Sequence, residues 1–235
     1  MDLLERLAEN PACAGLFLDV DGVLAPIVAR PEDAIVSEET RAELRRLHAR
    51  YALVACISGR AGETAREIVG VPELTYVGNH GLELAPEADL WAERLQAFLD
   101  GVEWPELENK QLTAALHYRN VADEDAAHAA LEQIAAQART AGLRARFGRK
   151  VLELLPPLEA NKGTAVERLL AERDLRRALY AGDDTTDLDG FKALEPLELG
   201  VRVAVASAEG PAELRAAADV VVAGPAELFE LLRAL

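Results

Sequence analysis

Five short polar clusters carry most of the chemistry open to this sequence: Asp19-Val20-Asp21-Gly22, Ser58-Gly59-Arg60, Gly78-Asn79-His80-Gly81, Asn161-Lys162-Gly163 and Gly182-Asp183-Asp184-Thr185-Thr186-Asp187. Carboxylates gathered at one place repel each other and raise one another's pKa unless a cation joins them. Asp19, Asp21, Asp183 and Asp187 are therefore candidate metal ligands. Hard oxygen donors with no His or Cys among them favour Mg2+, which keeps several waters. A carboxylate beside such an ion can attack phosphorus, because the cation lowers the repulsion between two anions. The phosphate then needs fixed donors. Ser58 offers a hydroxyl, Gly59 a closely approachable backbone N–H, and Lys162 a point charge.

Each cluster taken singly has a plainer reading. Asp-Gly is a common turn, Ser-Gly-Arg can cap a helix, and Lys162 can be a solvated lysine in a first helical turn. A cation is disfavoured there by the helix dipole, which points instead to an anion facing it. The chain holds no G-x-x-x-x-G-K-[ST] and no G-x-G-x-x-G, so nucleoside triphosphate and dinucleotide chemistry are not indicated. Ser58 is not in a G-x-S-x-G elbow, which argues against a Ser–His–Asp hydrolase.

Four of the clusters follow predicted strands, and Asn161-Lys162-Gly163 opens a helix as the chain returns from the middle segment. Short apolar runs at 15–18, 52–57, 74–77, 178–181, 201–206 and 219–223 alternate with amphipathic stretches at 38–50, 162–173, 186–194 and 226–234. Runs apolar on both faces suit a parallel sheet covered on both sides, so an α/β, doubly wound, Rossmann-like core is expected. Ligands of such a sheet bind beyond the carboxyl ends of its strands, where the clusters fall. The middle of the chain breaks the rhythm. An alternating stretch at 111–119, a helical pattern at 123–140 ended by Gly142, and strands at 143–147 and 150–155 read as a smaller inserted α+β domain. Residues 85–110 carry Pro86, Trp91, Trp104 and Pro105 with little strand signal. The expected division is core 1–84, cap 85–159 and core 160–235.

Composition narrows the partners. Half of the 235 residues are hydrophobic, enough for a real core, and the net charge is −16. An acidic chain is a poor partner for nucleic acid or an anionic membrane, though a few local cations can still hold a small anion. Residues 1–10 are too charged for a signal peptide's apolar region, and no apolar run reaches the roughly 20 residues of a membrane span. Cys13 and Cys56, in apolar surroundings, read as reduced core thiols of a cytoplasmic protein. With no apolar surface stripe left over, a monomer is expected.

The ordered set DVDGVL, SGR, NKG and GDDTTD resembles the haloacid dehalogenase superfamily of phosphatases. The resemblance implies that Asp19 is the nucleophile and Asp21 the general acid/base. It gives Ser58, Gly59 and Lys162 to the phosphate. Asp183, supported by Asp187, falls to the metal, with Asp19 and the backbone carbonyl of Asp21. The insert lies where this superfamily carries its type 2 cap. Further pieces, from Gly78 to Glu83, Glu108 to Lys110, Leu116 to Arg119 and Gly148 to Glu153, are similar to the trehalose-6-phosphate phosphatase family. That similarity implies sugar contacts at Arg119, Lys150 and Glu153, with His80, His117, Arg60 and Asn79 added to the substrate site. Departures are Val23 and Leu188, where Thr and Glu are usual, and Arg149, where Lys is common. The implied reaction is Mg2+-dependent hydrolysis of trehalose 6-phosphate. A phosphatase for another sugar phosphate or a glycosyl-phosphoglycerate, a sugar phosphomutase, and a non-catalytic binder share the core motifs.

Overall fold

A computed structural model describes residues 3–28, 30–121, 123–148, 150–207 and 210–235. Along the first stretch run α1 (Leu3–Ala8), β1 (Ala14–Leu18), α2 (Glu38–Arg50), β2 (Leu53–Ile57), α3 (Gly62–Val69) and β3 (Thr75–Val77). There follow α4 (Ala88–Leu99), β4 (Leu107–Asn109), β5 (Ala114–His117), α5 (Glu124–Thr140), β6 (Arg144–Gly148) and β7 (Val151–Leu155). The last third holds α6 (Lys162–Glu172), β8 (Arg177–Gly182), α7 (Asp187–Ala193), β9 (Leu199–Val205), α8 (Ala212–Ala217), β10 (Val220–Val222) and α9 (Pro225–Arg233). The chain divides into two compact units, Met1–Gly81 with Ala160–Leu235, and Leu82–Glu159.

The first unit is built on a sheet that, among the described residues, has six strands in the order β10-β9-β8-β1-β2-β3. All of its pairings are parallel. Every residue of β1 and β2 is buried, so both faces are covered, as the continuous apolar runs require. The chain reverses direction of assembly at β1, which pairs β2 on one side and β8 on the other. That switch point opens a crevice at the carboxyl ends of the central strands. Helix α2 starts where Ser37 Oγ accepts the Thr40 N–H, and it buries Leu44 and Leu47, as its spacing predicts.

The second unit pairs β4-β5-β7-β6, all antiparallel. One face of this sheet, with Ala114, Leu116, Leu152 and Leu154, packs with Trp91, Leu95 and Leu131 of α4 and α5 into a separate core. Helix α4 falls in the 85–110 segment, to which the sequence reading assigned no element. Ala88, Trp91, Leu95 and Leu99 are its buried residues, a stripe of helical period that follows Pro86 and that the two tryptophans and two prolines disguise. Cys13 is a correction: it is exposed at the end of a short 3-10 turn, while Cys56 is buried in β2. No helix among the described residues is long and apolar enough to cross a membrane.

Trp91 and Trp104 are the chain's two tryptophans, and both lie in the Leu82–Glu159 unit. Indole fluorescence therefore reports unfolding of that unit alone. Leu131→Ala, which empties a fully buried site, should lower its stability by about 2–5 kcal/mol in a fluorescence-monitored denaturant titration. A loss under about 1 kcal/mol would place Leu131 outside the packed core.

Candidate active site

The site is assembled by adjacent strand ends. β1 and β8 run in register with Leu18 opposite Ala181, and the Asp19 N–H continues the ladder onto the Ala181 carbonyl at 3.0 Å. Asp19 and Asp183 thus leave neighbouring strands one step apart. Gly22 has φ +75° and faces Asp183, and a Cβ there would collide with its carboxylate. The DVDG turn can approach the acidic cluster only with glycine at that position. From the other side comes α6, whose first turn is fixed by a reciprocal capping box between Asn161 and Thr164. That box sets the start of the helix at Lys162 and sends its side chain inward.

Lys162 is 2 % exposed, and its Nζ donates to Asp19 Oδ2 at 2.6 Å and to Asp187 Oδ1 at 2.7 Å. An ammonium carries three N–H donors, so one remains for a third acceptor. Asp187 is fully buried and saturated. Its Oδ1 accepts from Lys162 and from the Tyr180 hydroxyl at 2.8 Å, and its Oδ2 accepts the backbone N–H groups of Asp183 and Asp184 at 2.9 and 3.0 Å. Four acceptor positions are about what a carboxylate offers. Asp187 therefore shapes the turn that carries Asp183 as well as holding the lysine.

Ligand oxygens of Asp19, Asp183 and Asp187 lie within 4.8 Å of one another. Burial pushes Asp19 up to about 7 despite Lys162, with Asp187 adding to the rise. Burial and then the charge of Asp187 push Asp183 up to about 7 as well. For Lys162 burial works against the charged form, but the flanking Asp19 and Asp187 outweigh it and raise its pKa. Three carboxylates against one ammonium leave uncompensated negative charge in a partly dry site. The donor set, all hard oxygen, fits a small divalent cation.

The Ser58 and Gly59 loop is held from behind. The Asn79 N–H donates to the Arg60 carbonyl at 2.7 Å and the His80 N–H to the Ser58 carbonyl at 2.9 Å. Asn79 (φ 51°) and His80 (φ 53°) take left-handed conformations to do so. Asn79 is buried, while the exposed His80 lays its ring against Gly59. Ser58 is buried, and its Oγ accepts the Arg60 N–H at 3.2 Å, leaving its own proton to donate. Arg60 grips Asp21 through Nε (2.6 Å) and Nη2 (2.7 Å), one nitrogen to each carboxylate oxygen. The sequence assigned these two residues to separate tasks; the structure joins them.

In the second unit, His117 and Glu153 share one face of the sheet, through the cross-strand pairs His117–Val151 and Ala115–Glu153. Glu153 is held by Arg146 at 2.6 and 2.9 Å, and His117 lies 3.4 Å from Glu108. Lys150, with φ 65°, ion-pairs with Glu124, and Arg119 is exposed near it, following Tyr118 whose N–H donates to the Lys150 carbonyl. Arg149 lies outside the described residues. Tyr180 escaped the sequence reading because it sits in an apolar strand. The available signal was its hydroxyl, which must find a partner in a strand buried on both faces.

The raised carboxylates give a pH signature. A carboxyl whose folded pKa lies above its unfolded value contributes stability that is full below about pH 4 and lost as pH rises through about 7. In chelator, Asp183→Asn removes one such titration. Relative to the parent chain, its melting temperature should rise between pH 5 and pH 8. A difference that is flat across that window would contradict the raised Asp183.

A family model described as Trehalose-phosphatase matches residues 17–222. "Probable trehalose-phosphate phosphatase G" of Arabidopsis thaliana is 33 % identical over 85 % of this chain, and the chain spans 63 % of that protein's length. A trehalose-6-phosphate phosphatase structure from Aspergillus fumigatus superposes with a TM-score of 0.62 at 27 % identity, covering 99 % of this chain and 96 % of the other. A haloacid dehalogenase-like hydrolase from Bacteroides thetaiotaomicron shares the fold, with a TM-score of 0.59 at 16 % identity over 94 % of this chain and 98 % of its own. The two-unit α/β architecture and the ordered acidic motifs agree with these matches, and the chain belongs to the trehalose-phosphatase family.

Proposed function

We propose that this chain is a phosphatase that hydrolyses trehalose 6-phosphate to trehalose and phosphate with Mg2+ as cofactor. The observation that carries the reading is the buried Lys162 ammonium joined to Asp19, with Asp183 beside them. Family membership supports the substrate. Asp19, Asp183 and the backbone carbonyl of Asp21 would hold the ion, with Asp187 supporting them. When bound, Mg2+ neutralises charge on the phosphate and on the attacking carboxylate.

The chain's own groups then divide the work. Lys162, the Ser58 hydroxyl and the Gly59 N–H bind the phosphate oxygens. Lys162 also keeps Asp19 aligned through its 2.6 Å hydrogen bond and opposes the burial that raises its pKa. An Asp19 oxygen attacks phosphorus in line, the bond from phosphorus to the sugar oxygen breaks, and Asp21 gives that oxygen its proton. Water then attacks the aspartyl-phosphate and leaves its proton on Asp21, so that phosphate departs and Asp19 is restored. For Asp21 to move protons, one of its oxygens must be free of Arg60. Substrate arrival therefore exchanges an Arg60 contact from Asp21 to the incoming molecule, which reconciles the two roles. Sugar selection is assigned to the Leu82–Glu159 unit, read as the cap, through Arg119, Lys150 and Glu153, with His117 beside them. His80 and Asn79 complete the substrate loop of the core.

The test is phosphate release from a panel: trehalose 6-phosphate, glucose 6-phosphate, a glucosyl-phosphoglycerate and p-nitrophenyl phosphate, each with Mg2+. Trehalose 6-phosphate should give the highest kcat/KM, chelator should abolish turnover, and Asp19→Asn should lose about 10³-fold or more. Faster turnover of another ester would reassign the substrate. Isomerised sugar phosphate without free phosphate would make the chain a mutase, and retained turnover in Asp19→Asn would remove Asp19 as nucleophile.

A further inference from the structure

We infer that Tyr180 is a positioning residue for the phosphate-binding lysine: its buried hydroxyl holds Asp187, and through Asp187 it sets where Lys162 points. The inference rests on the phosphatase reading for its kinetic consequence. Tyr180 lies in β8, two residues before Gly182, and is fully buried. Its hydroxyl donates to Asp187 Oδ1 at 2.8 Å, the same oxygen that takes Lys162 Nζ at 2.7 Å. The ring is fixed independently of that bond. Phe191 meets it edge-on, with centroids 6.0 Å apart and planes at 85°. Gly190 presses on it so closely that a Cβ would collide with the ring.

The geometry makes Asp187 a divided acceptor. Its Oδ2 is committed to the backbone of Asp183 and Asp184, so its orientation is set by the turn. Its Oδ1 shares its negative charge between a neutral phenol and a cation. Without the phenol, that charge falls on Lys162 alone. The ammonium is then drawn towards Asp187 and away from Asp19 Oδ2, the oxygen it now reaches at 2.6 Å. A buried acceptor that loses a donor tightens on the partner left to it, because no water replaces the lost bond. The hydroxyl touches neither the phosphate site nor the attacking oxygen, so its effect is on alignment and not on sugar binding.

Tyr180→Phe removes one oxygen and keeps the ring. It should lower kcat roughly 10- to 100-fold, the usual loss when the support of a site group is removed. KM should stay within about twofold, and the loss should be equal for trehalose 6-phosphate and p-nitrophenyl phosphate. Phe191→Leu loosens the same ring without touching the hydroxyl, so it should lower the melting temperature and leave kcat near the parent value. Unchanged kcat in Tyr180→Phe, or equal kcat losses in both variants, would overturn the assignment. A second measurement is independent of turnover. If Tyr180 acts through Asp187, the melting-temperature losses of Tyr180→Phe and Asp187→Asn are non-additive in the double variant. Additive losses would overturn it. A parent chain that releases no phosphate from any ester defeats the phosphatase reading, while the double-variant comparison still decides the Tyr180 link.

Discussion

One buried ammonium holds this site together. Lys162 is all but sealed from solvent and is flanked by two buried carboxylates, Asp19 from the first segment of the core unit and Asp187 from the second. Taking such charges out of water costs several kcal/mol per ion, and only close pairing with full hydrogen bonding offsets it. The surroundings meet that demand. Asp187 is saturated by four donors, and Asp19 takes Lys162 and the Val20 N–H at 2.7 Å. What the ammonium cannot do is balance Asp183 as well. The residual negative charge gives a cation a place, and burial, with the charge of Asp187 added to it, raises the pKa values of Asp19 and Asp183.

The fold's task is to bring these groups to one point from distant stretches of sequence. Asp19 and Lys162 are separated by 143 positions, and the Leu82–Glu159 unit is inserted between them. Parallel pairing of β1 with β8 does half of the work, because it places the ends of two strands side by side. The capping box at Asn161 does the rest, by starting α6 where Lys162 turns inward. A lysine in a first helical turn opposes the helix dipole. Here its carboxylate partners outweigh that cost, which is the physical sense of a residue that is misplaced by local rules alone.

Much of this was legible from residue order. The six core strands, the helix beginning at Glu38 after Ser37, and the α5 helix follow from apolar period and cap chemistry, and the core motifs marked the rim of the sheet. Three features were hidden for identifiable reasons. Helix α4 was masked because its stripe is written partly in Trp and follows a proline. The Arg60–Asp21 pair spans 39 positions and depends on how two loops are laced together, which no local pattern encodes. Tyr180 reads as one more apolar strand residue, and its hydroxyl gains meaning only once Asp187 folds back beneath it.

The central claim is that a divalent ion sits between Asp19 and Asp183 while Lys162 stays bound to Asp19. Anomalous diffraction from crystals grown with Mn2+ tests it most directly. The account predicts one strong peak within about 2.3 Å of a carboxylate oxygen from each aspartate, with the Lys162–Asp19 hydrogen bond intact. A peak at any other site, or an ion that binds only after Lys162 has swung away from Asp19, would contradict it.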